Sequence, residues 1–412
     1  MKAILVIGDG MADRPLKEFD WKTPLEAAHN PTMDLLAKIG VCGLMDPISP
    51  GIPPGSDTAT LALLGYDALK VYSGRGALEA LGSGINVSEG DVCLRCNFAT
   101  VDENFTVLDR RAGRIADEDS RRLAESLSEV KLSDPSVSFQ FQRTLQHRAV
   151  LVLRGPKLSK AVSDSDPGEI GVKVLEIKPL NGCPESAFTA KILNELMQKF
   201  HKILKEHPVN IKRAEEGLPQ ANMILCRGAG DLPKIRPLKE VYNVNAVCIA
   251  ATSLVKGVCK TAGMHLSDVE GATGTRQTDY LAKAKAAMQA IKTSDFVLLH
   301  VKAPDVASHD GDAKQKIEVI EKIDQMLSHI FNEMDSSETY VALTADHTTS
   351  CITRKHDGEP VPIAITGPDI RSDKVEEFSE RACANGGLGR IRGMDLMPIL
   401  MNYLGKVKKF GA

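Results

Sequence analysis

The stretch of sequence that decides the fold is DFVLLHVKAPDVASHDGD, residues 295–312. It starts with an apolar run of the kind that forms a strand buried on both faces of a sheet. The run gives way to Asp305 and His309, four positions apart, with two more aspartates close behind. Such a segment can be a solvated loop, a helix cap or a set of metal ligands, and other parts of the chain help to choose between these alternatives.

Six further apolar runs resemble the one that begins at residue 295. They are bounded by Gly, Pro, Asp or Asn and lie at residues 2–10, 147–155, 222–230, 245–252, 339–347 and 361–368. Elsewhere, apolar residues recur at the three-to-four spacing of a helix, as in 188–204 and 317–330. The repetition of strand and helix predicts an α/β fold of the doubly wound kind, with a mostly parallel sheet flanked by helices.

The length of the chain, 412 residues, favours two domains. Residues 85–240 contain fewer buried strands, more arginine and several turn signals, so we expect them to form a smaller inserted domain of the α/β or α+β type. Residues 1–84 and 241–412 are predicted to form the catalytic, metal-binding domain.

Composition excludes several classes of protein. Basic and acidic residues nearly balance, 51 against 54, which argues against nucleic acid or an anionic membrane as a partner. The apolar runs are far shorter than the ~20 residues that cross a bilayer, and the first run stops at Gly8, so we expect no export signal.

Nine scattered cysteines suit a reducing cytoplasm, and the CxxC of Cys93 and Cys96 is attributed to chance. The oligomeric state stays open.

Three aspartates from distant parts of the chain each follow a predicted strand. These are Asp9, Asp305 and Asp346. Because the carboxyl ends of parallel strands meet at one edge of the sheet, where ligands bind, we expect these side chains to lie close together. Carboxylates in such proximity repel one another, and cations would relieve the repulsion.

Three histidines extend this set to six candidate metal ligands. His309 lies one helical turn after Asp305, so both can meet one ion. His347 directly follows Asp346, and we expect the two side chains to leave the strand end in opposite directions, toward neighbouring ions. His356 follows a short polar loop and can return to the same edge. Taken singly, each has an alternative as a helix cap or a surface residue; together they favour a metal site, with Mn or Zn suiting the ligands better than Mg.

The segment PPGSDTATLALLGYD, residues 53–67, places Ser56 at the start of a helix. One interpretation is an N-cap. The other is a nucleophile, because a helix N-terminus seats a phosphoryl group and a pair of divalent ions about 3.5–4 Å apart activates a hydroxyl for in-line displacement. The glycine-rich residues 74–84 do not follow the first strand, so they predict a helix with flexible ends and no dinucleotide site.

Eight segments together resemble one known family. They are GDGMADRP, GIPPGSDTATLALLGYD, YSGRGALEALGSGI, RCNFATVD, DRRAGRI, KAPDVASHDGD, LTADHTT and HDGEPVPI. The chain is similar over nearly its whole length to the archaeal-type cofactor-independent phosphoglycerate mutases of the alkaline phosphatase superfamily. The resemblance implies an alkaline-phosphatase-like core and the interconversion of 2-phosphoglycerate and 3-phosphoglycerate in glycolysis and gluconeogenesis, without 2,3-bisphosphoglycerate.

The resemblance also implies roles for individual residues. Ser56 would carry a phosphoserine intermediate. One ion would be held by Asp305, His309 and His356, and the second by Asp9, Asp346, His347 and the Ser56 oxygen. The usual ion would be Mn, with Mg, Co or Zn as substitutes. Lys256 resembles a lysine that lies near the phosphate and bridges the two metal sites, and Thr60 stands where relatives have histidine, which affects only the fine tuning near Ser56.

The expected substrate is a trianionic phosphorylated sugar acid, so the inserted domain should supply cations. Arginine's planar fork suits carboxylate and phosphate oxygens. The candidates are Arg75, Arg95, Arg110, Arg111 and Arg114. A solvated basic face is the alternative for any one of them. Closure of the inserted domain would exclude water while the intermediate lives.

Three other functions stay open at this point. A phosphatase or phosphodiesterase of the same superfamily would use the same ligands, and a related mutase would act on another phosphorylated sugar. A non-catalytic scaffold would tolerate loss of ligands, but the six ligands, the serine and the lysine are all present. The arginines and the NFATVD segment favour the phosphoglycerate mutase over the hydrolase.

Overall fold

The computed structural model describes residues 1–411, which form two compact units. Unit one comprises Met1–Tyr72 and the chain from Lys234 onward, and unit two comprises Ser73–Pro233. The sequence-based boundaries lie near residues 85 and 240. Unit two begins earlier because the helix over residues 75–82 packs against its strands.

Fifteen strands form the sheets of the two units. Unit one opens with β1 (Lys2–Gly8) and β2 (Val41–Asp46). Unit two contains β3 (Val92–Val101), β4 (Val107–Asp109), β5 (Ser138–Leu145), β6 (Arg148–Arg154) and β7 (Met223–Gly230). Unit one then continues with β8 (Ala246–Ile249), β9 (His265–Leu266), β10 (Phe296–Val301), β11 (Thr339–Thr344), β12 (Thr348–Ser350), β13 (Lys355–Asp357), β14 (Val361–Thr366) and β15 (Gly389–Arg392).

The helices follow the same order along the chain. Unit one has α1 (Pro24–Ala27), α2 (Pro31–Ile39), α3 (Ser56–Leu63) and α4 (Ala68–Val71). Unit two has α5 (Arg75–Gly82), α6 (Asp117–Leu127), α7 (Pro184–Glu206) and α8 (Pro208–Glu215). The remainder of unit one has α9 (Leu238–Tyr242), α10 (Ser253–Thr261), α11 (Tyr280–Ala290), α12 (Ala303–Asp310), α13 (Ala313–Glu333), α14 (Glu380–Cys383) and α15 (Gly393–Tyr403). None of the helices in residues 1–411 combines the length and apolarity that crossing a membrane requires.

Unit one is built on a sheet of eight strands in the order β15-β2-β14-β11-β1-β10-β8-β9. Only β14 runs antiparallel to its neighbours, and β1 lies between β10 and β11, parallel to both. The strands β10, β11 and β14 are buried along their whole length, as their unbroken apolar sequences predict. The predicted α/β class with a mostly parallel sheet flanked by helices is confirmed.

Unit two is a smaller antiparallel sheet, ordered β4-β3-β6-β5 with β7 paired to β3. Two of the apolar runs found in the sequence, 147–155 and 222–230, therefore belong to this antiparallel sheet and not to a parallel one. They lack alternation because both faces are covered: α5 packs on β3, and α7 packs on β7. Cys93 and Cys96 lie in different hydrophobic clusters, so the CxxC does not form a pair of ligands.

Candidate active site

The structure brings all six predicted ligands and Ser56 to one edge of the sheet of unit one. Asp9 directly follows β1, and Asp305 lies in the first turn of α12, which follows β10. Because β1 pairs with β10 up to Gly8 and Val301, the two segments leave the sheet side by side. His309 lies in the last turn of the same helix, Asp346 and His347 follow β11, and His356 lies in β13.

The first cluster contains Asp305, His309 and His356. The Nε2 atoms of both histidines lie 3.3 Å from Oδ1 of Asp305 and 3.3 Å from each other. His309 follows Asp305 by one turn of α12, so the segment that opened the sequence analysis is a short helix that presents both side chains on one side. His356 is brought in by the hairpin of β12 and β13, where it pairs with Thr349.

The second cluster contains Asp9, Asp346 and His347, all without solvent exposure. Nε2 of His347 lies 3.4 Å from Oδ1 of Asp9 and 3.4 Å from Oδ2 of Asp346. The expectation that Asp346 and His347 point in opposite directions is wrong. Both residues lie beyond Thr344, the last residue of β11, so the alternation of a strand no longer governs them.

Ser56 is the first residue of α3, and its hydroxyl faces the second cluster. Gly55 occupies the N-cap position, so the capping interpretation of Ser56 is wrong. Oγ of Ser56 lies 3.2 Å from Nε2 of His347 and 3.5 Å from Oδ2 of Asp9. Thr60, one turn further on, is buried and donates its hydroxyl hydrogen to the backbone oxygen of Ser56 at 2.6 Å.

The carboxylates have strongly perturbed acidities. Burial tends to raise the pKa of Asp9, but the charge of Lys302 together with the hydrogen bond and charge of His300 outweighs it, and the pKa falls to about 2. The pKa of Asp305 also lies well below its ordinary value, because Lys302 and the neighbouring imidazoles outweigh burial. Burial and then the charge of Asp9 raise the pKa of Asp346 well above its ordinary value. The charge of Lys302 and the hydrogen bond from the backbone of Gly10 oppose this rise without cancelling it.

Three observations show that this site fits divalent metal ions. Oδ2 of Asp346 is buried and has no hydrogen-bond partner among the described residues. The Nδ1 atoms of His309 and His356 lie 2.8 and 2.7 Å from backbone oxygens, so each ring donates at Nδ1 and keeps Nε2 as a ligand. Ligand atoms of Asp9, Asp305 and His347 lie within 4.8 Å of one another, so two ion positions would be adjacent.

Two further residues of the site escaped the sequence analysis. Nζ of Lys302 lies 2.6 Å from Asp305, 2.9 Å from Asp9 and 3.4 Å from Oγ of Ser56. His300, completely buried in β10, places Nε2 3.0 Å from Oδ2 of Asp9. A polar residue inside an otherwise apolar strand, and a lysine at its end, were the available signals.

Lys256, the predicted bridging lysine, pairs with a carboxylate that is not one of the predicted ligands. Its Nζ forms an ion pair with Asp268 at 2.6 Å, and the side chain lines a cavity of about 300 Å³ with Ile249 and Glu270. The lysine that the structure places among the predicted ligands is Lys302. A direct role for Lys256 stays a prediction.

The five predicted arginines lie in unit two, and carboxylates hold three of them. Nε of Arg75 donates to Oε1 of Glu79 at 2.5 Å, and Nη1 of Arg95 lies 3.6 Å from the same oxygen. Arg110 binds Asp166 with two parallel hydrogen bonds of 2.9 and 2.8 Å. The side chains of the other two candidates, Arg111 and Arg114, have no ion pair in the described part of the chain.

The structure adds two arginines, Arg148 and Arg227, to the predicted five, and we call these seven residues the basic cluster. Arg227 on β7 pairs in register with Arg95 on β3, and Arg148 begins the neighbouring strand β6. Burial, opposed by Glu79 and reinforced by the surrounding arginines, lowers the pKa of Arg95 to about 9. Burial and the charge of Arg148 lower the pKa of His147 to about 4, so this imidazole is neutral. The concentration of positive charge predicts an anion as the ligand.

Fold and site together place the chain among the α/β proteins in which a mostly parallel sheet gathers candidate ion ligands at the carboxyl ends of its strands. A family model described as 2,3-bisphosphoglycerate-independent phosphoglycerate mutase matches residues 37–210, and one described as type I phosphodiesterase / nucleotide pyrophosphatase matches residues 191–361. The chain belongs to the family of 2,3-bisphosphoglycerate-independent phosphoglycerate mutases, which confirms the resemblance seen in the sequence.

Relatives of this family are similar over the full length of the chain. The enzyme named 2,3-bisphosphoglycerate-independent phosphoglycerate mutase 1 from Methanocaldococcus jannaschii is 49% identical, with 100% of this chain and 99% of that protein covered. A solved structure of a protein from Pyrococcus horikoshii has a TM-score of 0.88 and 39% identity, covering 100% of this chain and 99% of that one. The cofactor-independent phosphoglycerate mutase from Thermoplasma acidophilum has a TM-score of 0.71 and 34% identity, covering 98% and 100%.

Proposed function

We propose that the protein interconverts 2-phosphoglycerate and 3-phosphoglycerate through a phosphoserine on Ser56. The observation that carries this proposal is the position of the Ser56 hydroxyl, which lies within 3.5 Å of His347, Lys302 and Asp9 at the N-terminus of a helix. A helix N-terminus favours an anionic group through its free amides and its dipole. No other hydroxyl is needed as an acceptor for the phosphoryl group.

Two divalent ions, with Mn as the first choice, would be held by the predicted ligands. Asp305, His309 and His356 would hold one ion, and Asp9, Asp346, His347 and Ser56 would hold the other. Such ions, when bound, lower the pKa of a hydroxyl and neutralise the charge of a phosphoryl group. The choice of Mn rests on the mixed carboxylate and imidazole ligands.

The residues of the chain then perform an exchange of one phosphoryl group. Oγ of Ser56 loses its proton and forms a bond to phosphorus while the bond from phosphorus to the substrate oxygen breaks, and that oxygen takes up a proton to give glycerate. The second hydroxyl of glycerate then loses its proton as it attacks the phosphoserine, and the serine oxygen leaves and regains a proton. The ammonium of Lys302, 3.4 Å from Oγ, favours the anionic form of the serine oxygen in both steps.

The basic cluster of unit two would bind the anionic oxygens of the substrate. Arg95, Arg111, Arg114 and Arg148 are the better candidates, since Asp166 already occupies the fork of Arg110. Glu79 orients Arg75 and Arg95 by holding both on one carboxylate oxygen. No role for 2,3-bisphosphoglycerate follows from this scheme, because the phosphoryl group stays on the enzyme between the two steps.

One assay tests the proposal against a hydrolase, which the partial match to the phosphodiesterase family favours as the second candidate. The protein is incubated with 3-phosphoglycerate and Mn²⁺ without 2,3-bisphosphoglycerate, and both 2-phosphoglycerate and free phosphate are measured. Formation of 2-phosphoglycerate without phosphate supports the mutase, whereas stoichiometric phosphate supports the hydrolase.

Ser56→Ala should abolish turnover, with loss of at least about 1,000-fold, because no nucleophile remains. Ser253→Ala is the matched control, since Ser253 is also the first residue of a helix in unit one but contacts none of the predicted ligands. Mutase activity of Ser56→Ala close to that of the wild type would remove Ser56 from its role.

A further inference from the structure

One buried hydroxyl contacts a predicted ligand of each of the two ions. Oγ1 of Thr349 donates to Oδ1 of Asp305 at 3.0 Å and lies 2.9 Å from Nδ1 of His347. Thr349 has no solvent exposure. The other two histidines among the predicted ligands, His309 and His356, place Nδ1 against backbone oxygens, whereas Nδ1 of His347 contacts a side chain.

The direction of both hydrogen bonds follows from counting protons. A threonine hydroxyl has one hydrogen to donate, and an ionised carboxylate can only accept. Asp305 is held in its ionised form by the ammonium of Lys302 at 2.6 Å. The hydroxyl hydrogen of Thr349 is therefore used on Asp305, and its oxygen has to accept the hydrogen on Nδ1 of His347.

This assignment fixes the tautomer of His347. With the hydrogen on Nδ1, the lone pair of Nε2 is free and faces Oγ of Ser56 at 3.2 Å and Oδ1 of Asp9 at 3.4 Å. A neutral imidazole in this tautomer is a metal ligand through Nε2, and its hydrogen-bonded partner holds the ring in the required orientation.

Two hydrogen bonds hold the backbone of Thr349 beside the predicted ligands. Its N–H donates to the backbone oxygen of Ala12 at 3.1 Å, and its carbonyl oxygen accepts from Nζ of Lys316 at 2.9 Å. A Cβ atom at Gly10 would lie 2.5 Å from Oγ1, so glycine at that position leaves the space that the hydroxyl needs.

We propose that Thr349 is a positioning residue that sets the Nδ1-protonated tautomer of His347 and couples the ion on His347 to the ion on Asp305. The inference deepens the proposed two-ion function and rests on it. Loss of the hydroxyl would leave His347 free to change tautomer and would remove one hydrogen bond from Asp305, so the binding of both ions would weaken.

The tautomer is measured directly in long-range proton–nitrogen correlation spectra of metal-free protein labelled with ¹⁵N-histidine. His347→Gln identifies the His347 signals by their disappearance. We expect the wild type to show a protonated Nδ1 and a bare Nε2, Thr349→Ser to keep this pattern, and Thr349→Val to lose it. A wild-type His347 protonated at Nε2 would overturn the inference, even if Thr349→Val failed to fold.

Ion binding is measured by titration calorimetry with Mn²⁺ alone. We expect Thr349→Val to weaken Mn²⁺ binding by about 10- to 100-fold, and Thr349→Ser to retain most of the wild-type affinity. Thr348→Val is the matched control, because within residues 1–411 the hydroxyl of Thr348 hydrogen-bonds to the backbone oxygen of Glu359, at 3.4 Å, and to no predicted ligand.

The two proposals fail in different ways. If the wild type binds no Mn²⁺ or forms no 2-phosphoglycerate, the proposed function fails. If the wild type does both, but Thr349→Val keeps the wild-type tautomer and Mn²⁺ affinity, only the inference about Thr349 is wrong.

Discussion

Lys302 forms ion pairs with aspartates of both predicted ion sites. One oxygen of Asp305 faces Lys302, while the other faces the imidazoles of His309 and His356. One oxygen of Asp9 likewise faces Lys302, and the other faces His300. The ammonium thus ties together one carboxylate of each predicted ion site and leaves an oxygen of each for an ion.

Replacement of this lysine by methionine is the first prediction. Lys302→Met should lower kcat of the mutase reaction by about 100-fold, because it removes a positive charge 3.4 Å from the serine oxygen. Mn²⁺ affinity should not fall, since the freed carboxylates attract cations more strongly. Lys256→Met is the control, with its ammonium on Asp268. A larger loss in Lys256→Met than in Lys302→Met would restore the sequence-based assignment.

Single residues were predictable from sequence where chain topology dictates their position. Asp9, Asp305 and Asp346 each follow a strand of one sheet, so their convergence follows from the strand order alone. His300 and Lys302 were missed because a polar residue in or after a buried strand usually reflects local packing or solvation. Only the pairing of β1 with β10 shows that they face Asp9.

Helix α13 connects the loops that carry the predicted ligands. Lys316 on this helix is completely buried and donates to the backbone oxygens of Ala12 and Thr349 at 3.0 and 2.9 Å. Its third contact is Oδ2 of Asp13, at 2.9 Å. One ammonium therefore joins the loop after β1 to the hairpin after β11.

Lys316→Met should destabilise the protein by about 3–5 kcal/mol, because it leaves the charge of Asp13 buried and unpaired. The free energy of unfolding is measured in urea. Lys314→Met, an exposed position on the same helix, should change it by less than about 0.5 kcal/mol. The double variant Lys316→Met with Asp13→Asn should recover part of the loss; no recovery would mean that the ion pair is not the cause.

Helix α11 carries a second buried lysine, which predicts a dependence of stability on pH. Burial lowers the pKa of Lys283 from 10.5 to about 8, and Nζ donates to the backbone oxygen of His300. Between these values the unfolded state binds more protons than the folded state, so the free energy of unfolding rises with pH, by up to about 3 kcal/mol.

The rise is measured as the difference in urea unfolding between the wild type and Lys283→Met from pH 8 to pH 10.5. Lys285→Met, exposed on the same helix, should show the same slope as the wild type. Identical slopes in the wild type and Lys283→Met would show that Lys283 does not titrate in this range.

The sequence predicts where strands and helices lie more readily than it predicts which strands pair with each other. Every apolar run quoted from the sequence forms a strand, yet the sequence does not say which sheet it joins. The hairpin of β12 and β13 was not foreseen, because three-residue strands leave no periodic pattern. That hairpin brings His356 against His347, with ring centroids 3.7 Å apart, so the least predictable element completes the site.

The three aspartates that the fold brings together link ion binding to the stability of the whole molecule. Asp9, Asp305 and Asp346 are all buried, and Oδ2 of Asp346 has no hydrogen-bond partner within residues 1–411. Ions that bind the folded chain and not the unfolded chain raise the free energy of unfolding by about 2.7 kcal/mol per site at a free concentration 100 times Kd.

Mn²⁺ should therefore raise Tm by several degrees over protein treated with a chelator, as measured by scanning calorimetry. His309→Ala should lose part of the shift, because it removes one ligand from the cluster on Asp305. His265→Ala, an exposed histidine remote from the predicted ligands in sequence, is the control and should keep the full shift. Equal Tm values with Mn²⁺ and with chelator would mean that the folded chain does not bind Mn²⁺ in preference to the unfolded chain. In that case the ammonium of Lys302, and not a metal ion, would neutralise the converging carboxylates.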